Sequence, residues 1–123
     1  MKWSNLQDTV IKNTNPNTTE GSLTIKAWVS DCGLFAVHRA IDGYDDEFYV
    51  THLPTGCKCS QWFETAAQAK KYASKIKPLA DWTCIELKKR RKYDGKAHMK
   101  DKKLSLILRD KCIEIRNEIM GVA

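Results

Sequence analysis

The stretch QWFETAAQAKKYA, residues 61–73, marks the point at which the hydrophobic pattern of the chain changes its period. Before it, apolar residues alternate with polar ones, which is typical of half-buried β-strands. After it, apolar residues recur every three to four positions, as in an amphipathic helix. Thr65 and Gln68 have the spacing of a capping box, in which the two side chains bind backbone N–H groups at the helix start. The sequence therefore predicts a sheet that ends near residue 63 and a helix over 65–77.

Upstream of this junction, the alternation predicts an antiparallel meander of three to four strands. Turn-forming residues separate them, including Asp31-Cys32-Gly33 and Pro54-Thr55-Gly56. Because successive strand residues point to opposite faces, Phe35 and Val37 are expected on one face, with Ala36 and His38 on the other. The predicted strands cover residues 22–30, 34–41, 48–53 and 57–63.

Downstream of residue 77, two further helices are predicted, one from Leu79 to about Tyr93 and one over about 98–120. Pro78 separates them from the first helix, since proline is excluded from helix interiors. Strands followed by helices indicate an α+β fold with two or three helices packed on one face of the sheet. The expected inner face of the last helix comprises Leu104, Ile107, Leu108, Cys112, Ile115 and Ile119.

The length of 123 residues predicts a single α+β domain over 22–123, with the sheet over 22–63 and the helices over 65–120, preceded by an N-terminal arm over 1–21. The helical spacing of Trp3, Leu6 and Val10 predicts a short helix over 3–12 in this arm. The chain shows no transmembrane run and no secretory signal, and its five cysteines are an odd number. These features predict a cytoplasmic protein with reduced thiols.

The net charge of +6 is concentrated in one segment, residues 88–103. This basic segment holds nine cations and two acids, a net of 9 − 2 = +7, and the rest of the chain has 12 cations and 13 acids, a net of −1. Such a local excess favours binding to a polyanion or an acidic protein surface. Tyr93 lies among these cations, and Lys70 and Lys71 of the first helix are expected to extend the surface. The nine cations are Lys88, Lys89, Arg90, Arg91, Lys92, Lys96, Lys100, Lys102 and Lys103.

A second candidate surface combines an acidic loop with sheet aromatics. The acidic loop contains Asp42, Asp45, Asp46 and Glu47. It is open to three interpretations: a solvated hairpin loop, a site for a hard cation or acid–base chemistry, or a patch that meets a basic partner. Helices on one face leave the other face free, so aromatic side chains are expected to be available for contacts. The candidates are Trp28, Tyr49, Lys58 and Trp62, with His38 beside the tryptophans.

The residues that carry reactive chemistry do not form a specific motif. His52, Cys57 and Cys59 have the pattern H-x4-C-x-C, which lacks the usual zinc-knuckle spacing and an identifiable fourth ligand. A Cys–His pair lacks a third, orienting group. Glycine-rich phosphate loops and the common hydrolase and metalloprotease motifs are absent. The sequence therefore predicts a protein that is not an enzyme, with no cofactor and no metal.

The junction Phe63-Glu64-Thr65-Ala66-Ala67-Gln68-Ala69-Lys70-Lys71-Tyr72-Ala73 follows the pattern F-x-T-x-x-x-A-x-x-x-A. In this respect the chain resembles small α+β proteins of phages and mobile elements, including anti-CRISPR and other counter-defence proteins. Its sheet–helix unit is also similar to AP2-type and integrase arm-binding domains, which present a three-stranded sheet to DNA. Those sheets are strongly basic, whereas here the first three strands contain only Lys26 and Arg39. The resemblance covers about residues 23–77.

Charge and resemblance together predict a binding protein encoded by a phage or mobile element. It is expected to dock on a nucleic-acid-handling host complex and to inhibit it, so its partner is nucleic acid or an acidic surface of such a complex. Two alternatives stay open. One is direct DNA or RNA binding through the basic segment, and the other is a small protein dependent on Cys and His or on zinc.

Overall fold

The computed structural model of the chain describes residues 1–12, 22–40, 47–84, 86–87, 97–98 and 102–121. The strands are β1 (Gln7–Lys12), β2 (Ser22–Val29), β3 (Phe35–Arg39), β4 (Phe48–His52), β5 (Cys57–Lys58), β6 (Glu86–Leu87) and β7 (Ala97–His98). The α-helices are α1 (Ala66–Ile76) and α2 (Lys102–Met120). Two short 3₁₀ helices, Lys77–Leu79 and Trp82–Cys84, follow α1.

The first five strands form one antiparallel sheet in the order β1-β2-β3-β4-β5, and β6 pairs with β7 in a separate two-stranded sheet. Pairing of Phe35 with His52 and of Val37 with Val50 sets the register of β3 and β4. Because directly paired residues share a face, these four side chains lie on the face that α1 covers. The predicted α+β fold, a meander followed by helices packed against it, is confirmed.

Helix α1 begins as the capping box predicts. The Thr65 hydroxyl accepts a hydrogen bond from the Gln68 backbone N–H at 3.1 Å. In return, the Gln68 side-chain oxygen accepts from the backbone N–H groups of Thr65 at 3.2 Å and Glu64 at 3.0 Å. Ala69 and Ala73 lie on the inner face and are fully buried. Their small side chains allow the helix backbone to lie close to the sheet.

The core lies between the sheet and the two helices. Phe35, Val37 and Val50 of the sheet are fully buried, as are Tyr72 and Ile76 of α1. From α2, Cys112 is buried and Leu108, Ile115 and Ile119 pack against this cluster. Ile107 was expected on the same face, but it is 46% exposed.

The short helix predicted over 3–12 is wrong, because residues 7–12 form strand β1. All six residues pair with β2, from Gln7 opposite Ala27 to Lys12 opposite Ser22. Further back, Trp3 forms a bridge with Ser30 and the Ser4 backbone N–H donates to the Val29 carbonyl at 2.8 Å. This part of the predicted N-terminal arm therefore belongs to the sheet. The β-branched run Thr9-Val10-Ile11 favours a strand, and pairing with β2 outweighs the helical spacing.

The helix predicted from Leu79 to Tyr93 is also wrong in its described part. A 3₁₀ turn at Trp82–Cys84 and the strand β6 replace it. The Trp82 indole N–H donates to the carbonyls of Ile76 and Lys77, each at 3.1 Å. These bonds hold the chain against the end of α1 and prevent a continuous second helix. The fourth predicted strand is shorter than expected, although Phe63 still bridges to Phe48.

The remaining elements agree with the predicted pattern. Strands β2, β3 and β4 fall within the predicted ranges 22–30, 34–41 and 48–53, and α2 falls within 98–120. Among the described residues, no helix has both the length and the apolar composition needed to cross a bilayer.

Candidate binding surface

The outer side of α1 is basic. Ala69, Tyr72, Ala73 and Ile76 point into the core, so the lysines between them are left on the outer side and the flanks. Residues 66–77 contain four lysines and no acidic residue. In the part of the chain that the structure describes, no carboxylate lies within ion-pair distance of them. We call Lys70, Lys71, Lys75 and Lys77 the lysine surface.

Lys70 connects this surface to the sheet. Its Nζ atom lies 4.6 Å from the centre of the Trp28 ring, and both side chains are partly buried. Trp28 pairs with Val37 across β2 and β3, which places it on the face that α1 covers. Its ring also lies 6.3 Å from that of Phe48. The structure thus joins two residues that the sequence analysis had assigned to separate surfaces.

The other members of the second candidate surface are divided. Trp62 is 39% exposed, and its carbonyl accepts a hydrogen bond from Arg116 of α2 at 2.6 Å. His38, expected beside the tryptophans as a surface residue, is buried, so that part of the prediction is wrong. Glu47 is partly buried next to Tyr49. Burial of Tyr49, together with the charge of Glu47 and a hydrogen bond to it, raises the pKa of Tyr49.

Most of the predicted basic segment lies outside the described residues. Of its cations, only Lys102 and Lys103 belong to a described element, the first turn of α2. Three of the four acids of the acidic loop also lie outside. The residues concerned are Lys88, Lys89, Arg90, Arg91, Lys92, Tyr93, Lys96 and Lys100, and in the acidic loop Asp42, Asp45 and Asp46.

The two histidines of the sheet are buried, and both ring nitrogens of each are hydrogen-bonded. In His52, Nε2 donates to the Trp82 carbonyl at 2.7 Å and Nδ1 lies 2.9 Å from the Thr55 hydroxyl. In His38, Nδ1 donates to the Arg39 carbonyl and Nε2 contacts the Thr51 hydroxyl, both at 2.7 Å. Burial is the main cause that lowers the pKa of both imidazoles. Both rings therefore serve the internal hydrogen-bond network as neutral groups.

The H-x4-C-x-C residues do not assemble a metal site in the described part of the chain. His52 uses both nitrogens inside the protein, and the side chain of Cys57 lies outside the described residues. The described residues contain no group of three or more His, Cys, Asp or Glu arranged to hold a metal ion.

Cys112 is the buried thiol of the core. It contacts the Tyr72 hydroxyl, which also donates to the Cys59 carbonyl at 3.2 Å. Burial raises the pKa of Cys112, so the thiol stays protonated at neutral pH. Since the thiolate is the nucleophile, these surroundings do not activate Cys112 for catalysis.

Sequence reasoning named Tyr49 and Lys58 as candidates for an exposed sheet face, but it did not predict that they form a second lysine–aromatic pair on the face opposite α1. The Nζ atom of Lys58 lies 4.0 Å from the centre of the Tyr49 ring, and the centre of the His38 ring lies 6.4 Å from it. The pair depends on the register of β4 and β5, in which Thr51 is opposite Lys58. Period-two alternation alone does not specify which residues of two strands become neighbours.

Comparison of the chain with protein-family models, curated proteins and solved structures gives no match.

Proposed function

We propose that the protein is a non-enzymatic binding protein that uses the lysine surface to dock on an acidic surface of a nucleic-acid-handling complex. By occupying that surface it inhibits the complex. The observation that carries the proposal is the set of four lysines over residues 66–77, with no carboxylate of the described residues within ion-pair distance of them. The basic segment, net +7, follows α1 in the sequence and extends the positive charge.

The clustered positive charge affects both the rate and the specificity of binding. Clustered like charges repel one another, and an acidic partner relieves that repulsion on binding. Complementary potentials also accelerate association and disfavour partners of the wrong sign. The exposed part of Trp62 adds an aromatic residue of the type that supplies much of the binding energy in interfaces.

Two features favour an acidic protein over DNA laid on the sheet. Both cations of the first three predicted strands already have partners: Lys26 forms an ion pair with Asp8 at 2.8 Å, and the Arg39 guanidinium lies 5.2 Å from the centre of the Phe48 ring. The acidic loop places four carboxylates between β3 and β4 in the sequence, and they would repel phosphates. A protein surface of mixed charge accommodates both signs.

The proposal is tested by affinity capture from nuclease-treated host extract. The test variant is Lys71→Glu/Lys75→Glu, because both side chains are exposed and neither covers an aromatic ring in the described part of the chain. The matched control is Lys2→Glu/Lys111→Glu, which makes the same charge change at exposed positions outside α1. Wild type and control are expected to retain one nucleic-acid-handling complex and to inhibit its activity. The test variant is expected to bind it at least about tenfold more weakly.

A second candidate function is direct nucleic-acid binding, favoured by the basic segment. It predicts binding to generic double-stranded DNA or single-stranded RNA that weakens steeply with salt and is lost in Lys88→Glu/Arg90→Glu/Arg91→Glu. Capture that disappears after nuclease treatment would support this function instead. Equal capture by the test variant and its control would overturn the assignment of the lysine surface.

A further inference from the structure

The two edges of the five-stranded sheet differ in length. At one edge, β5 is a strand of two residues, which is a common way to keep a sheet edge from pairing with another chain. At the other, β1 has six residues, all paired with β2 on the inner side. In the described part of the chain no strand pairs with the outer side of β1. Such an edge offers backbone N–H and C=O groups for one more strand.

The outer edge of β1 lacks two of the features that prevent pairing, a bulge and a proline, although it carries two charged residues, Asp8 and Lys12. The six residues are in continuous register with β2, so they contain no bulge, and they include no proline. Val10 is 64% exposed and Leu6, just before the strand, is 50% exposed. Exposed apolar side chains at a sheet edge mark a position where another strand would bury them, provided that the charges of that strand complement those of the edge.

We propose that a second copy of this chain pairs antiparallel with β1 about a two-fold axis through Val10, joining two sheets into one. In this register Val10 lies opposite Val10 of the second copy. Thr9 lies opposite Ile11, and Asp8 lies opposite Lys12. The symmetry repeats each pair, so both aspartates face lysines and the exposed valines cover each other.

Charge selects this register over its neighbours. Moving the axis toward Thr9, by half a residue or by one, places Asp8 opposite Ile11 or Val10. Moving it equally far toward Ile11 places Asp8 opposite a position beyond Lys12, where the described strand ends. Axes on Asp8 or Lys12 put like charges directly opposite each other, which is unfavourable in a sheet. Of these registers, only the one centred on Val10 matches opposite charges.

The ion pair inside the chain supports the same register. The Asp8 carboxylate lies 2.8 Å from Lys26 Nζ, its partner on β2. In the dimer, Asp8 would lie between Lys26 on one side and Lys12 of the second copy on the other. Directly opposed residues of opposite charge stabilise antiparallel pairs. Association would also bring two copies of the lysine surface into one particle, although the dimer does not depend on the proposed function.

The test exploits the charge pairs. Lys12→Asp places two carboxylates opposite each other in both symmetric pairs, and Asp8→Lys does the same with two ammonium groups. Sedimentation of the full chain is expected to show a dimer for wild type and at least about a tenfold weaker dimer for either variant alone. Mixing the two variants restores both opposite-charge pairs, so a heterodimer is expected to form at wild-type concentrations. Lys111→Asp on α2 is the control and is expected to leave the dimer intact.

The mixing step also addresses folding, since restored association requires both variants to be folded. Hydrogen exchange adds a backbone readout: amides of residues 7–12 that point outward are expected to be protected in wild type and to exchange faster in Lys12→Asp. A wild-type chain that stays monomeric at its highest soluble concentration would overturn the proposal. So would a dimer that neither substitution weakens, because it would use another surface.

Discussion

The two faces of the sheet bury their central residues by different chemistry. On the face covered by α1, Phe35, Val37 and Val50 are fully buried among apolar side chains. On the opposite face, the register places Thr51 opposite Ala36, with His38 two residues further along β3. These two polar side chains are nearly as inaccessible as the apolar ones, and they are bonded to each other. The face covered by α1 excludes water by apolar packing. On the opposite face, the small side chain of Ala36 lies beside the hydrogen-bonded pair of His38 and Thr51.

The two histidines show how closely the faces nevertheless resemble each other. His52 lies on the helix-covered face and His38 on the opposite face. Each ring donates to a backbone carbonyl and lies within hydrogen-bond distance of a threonine hydroxyl, but with the roles of the two nitrogens exchanged. A buried imidazole is tolerated on either face because both nitrogens have partners.

The largest expected difference between the faces is in packing energy. Phe35→Ala removes a fully buried ring that contacts Trp82 at 5.3 Å between centres. The cavity left behind is expected to lower the free energy of unfolding by about 3–5 kcal/mol. Tyr49→Ala, on the opposite face at a partly buried position, is expected to cost only about 1 kcal/mol. Urea denaturation measures both, and an equal or larger loss in Tyr49→Ala would contradict the contrast between the faces.

The fold was largely predictable from the sequence because its central elements are specified locally. The alternation in β2 to β4 and the capping box of Thr65 and Gln68 each act within a few residues, and the structure contains them as predicted. The opposite faces of Phe35 and His38 follow from the same alternation.

The errors fall where distant contacts decide the local structure. β1 pairs with β2 across a nine-residue connection, 13–21, and its helical spacing is overridden by that pairing. Trp82 is held by the end of α1 and by His52, which converts a predicted helix into a 3₁₀ turn. For the candidate surface, composition indicated the lysines of α1. The contacts Lys70–Trp28 and Lys58–Tyr49 could not be predicted from the sequence, because each joins residues of two different elements.

The two buried histidines, one on each face of the sheet, make the stability of the fold depend on pH. Burial lowers the pKa of both His38 and His52 below the usual value of about 6.5. The hydrogen bond of each ring to a backbone carbonyl raises the pKa, but by less than burial lowers it. As pH falls below the usual value, the unfolded chain binds protons that the folded chain does not. The free energy of unfolding is therefore expected to be highest above about pH 6.5 and to fall as pH decreases to the lowered values. Each histidine contributes at most about 1.4 kcal/mol per pH unit.

Urea denaturation at a series of pH values between 7 and 5 measures this slope. This slope is proportional to the number of protons taken up on unfolding. His38→Gln and His52→Gln each remove one imidazole, so each is expected to lower that number by up to one. A slope unchanged in both variants would contradict the argument that these two imidazoles are held neutral.

The smallest expected effect on stability comes from two lysines that lie over aromatic rings, one on each face of the sheet. Lys70 over Trp28 and Lys58 over Tyr49 have geometry suited to cation–π attraction, at 4.6 and 4.0 Å from the ring centres. Lys70→Met and Lys58→Met keep the length of the side chain and remove its charge, so each is expected to lower the free energy of unfolding by about 0.5–1 kcal/mol. Lys71→Met, at an exposed position next in sequence to Lys70, is the control and is expected to change it by less than about 0.5 kcal/mol. Arginine preserves the charge, so Lys70→Arg is expected to retain the stability that Lys70→Met loses. If Lys70→Met loses no more stability than Lys71→Met while Lys58→Met is destabilised, cation–π stabilisation is confined to the face opposite α1, and the charge of Lys70 does not stabilise the fold.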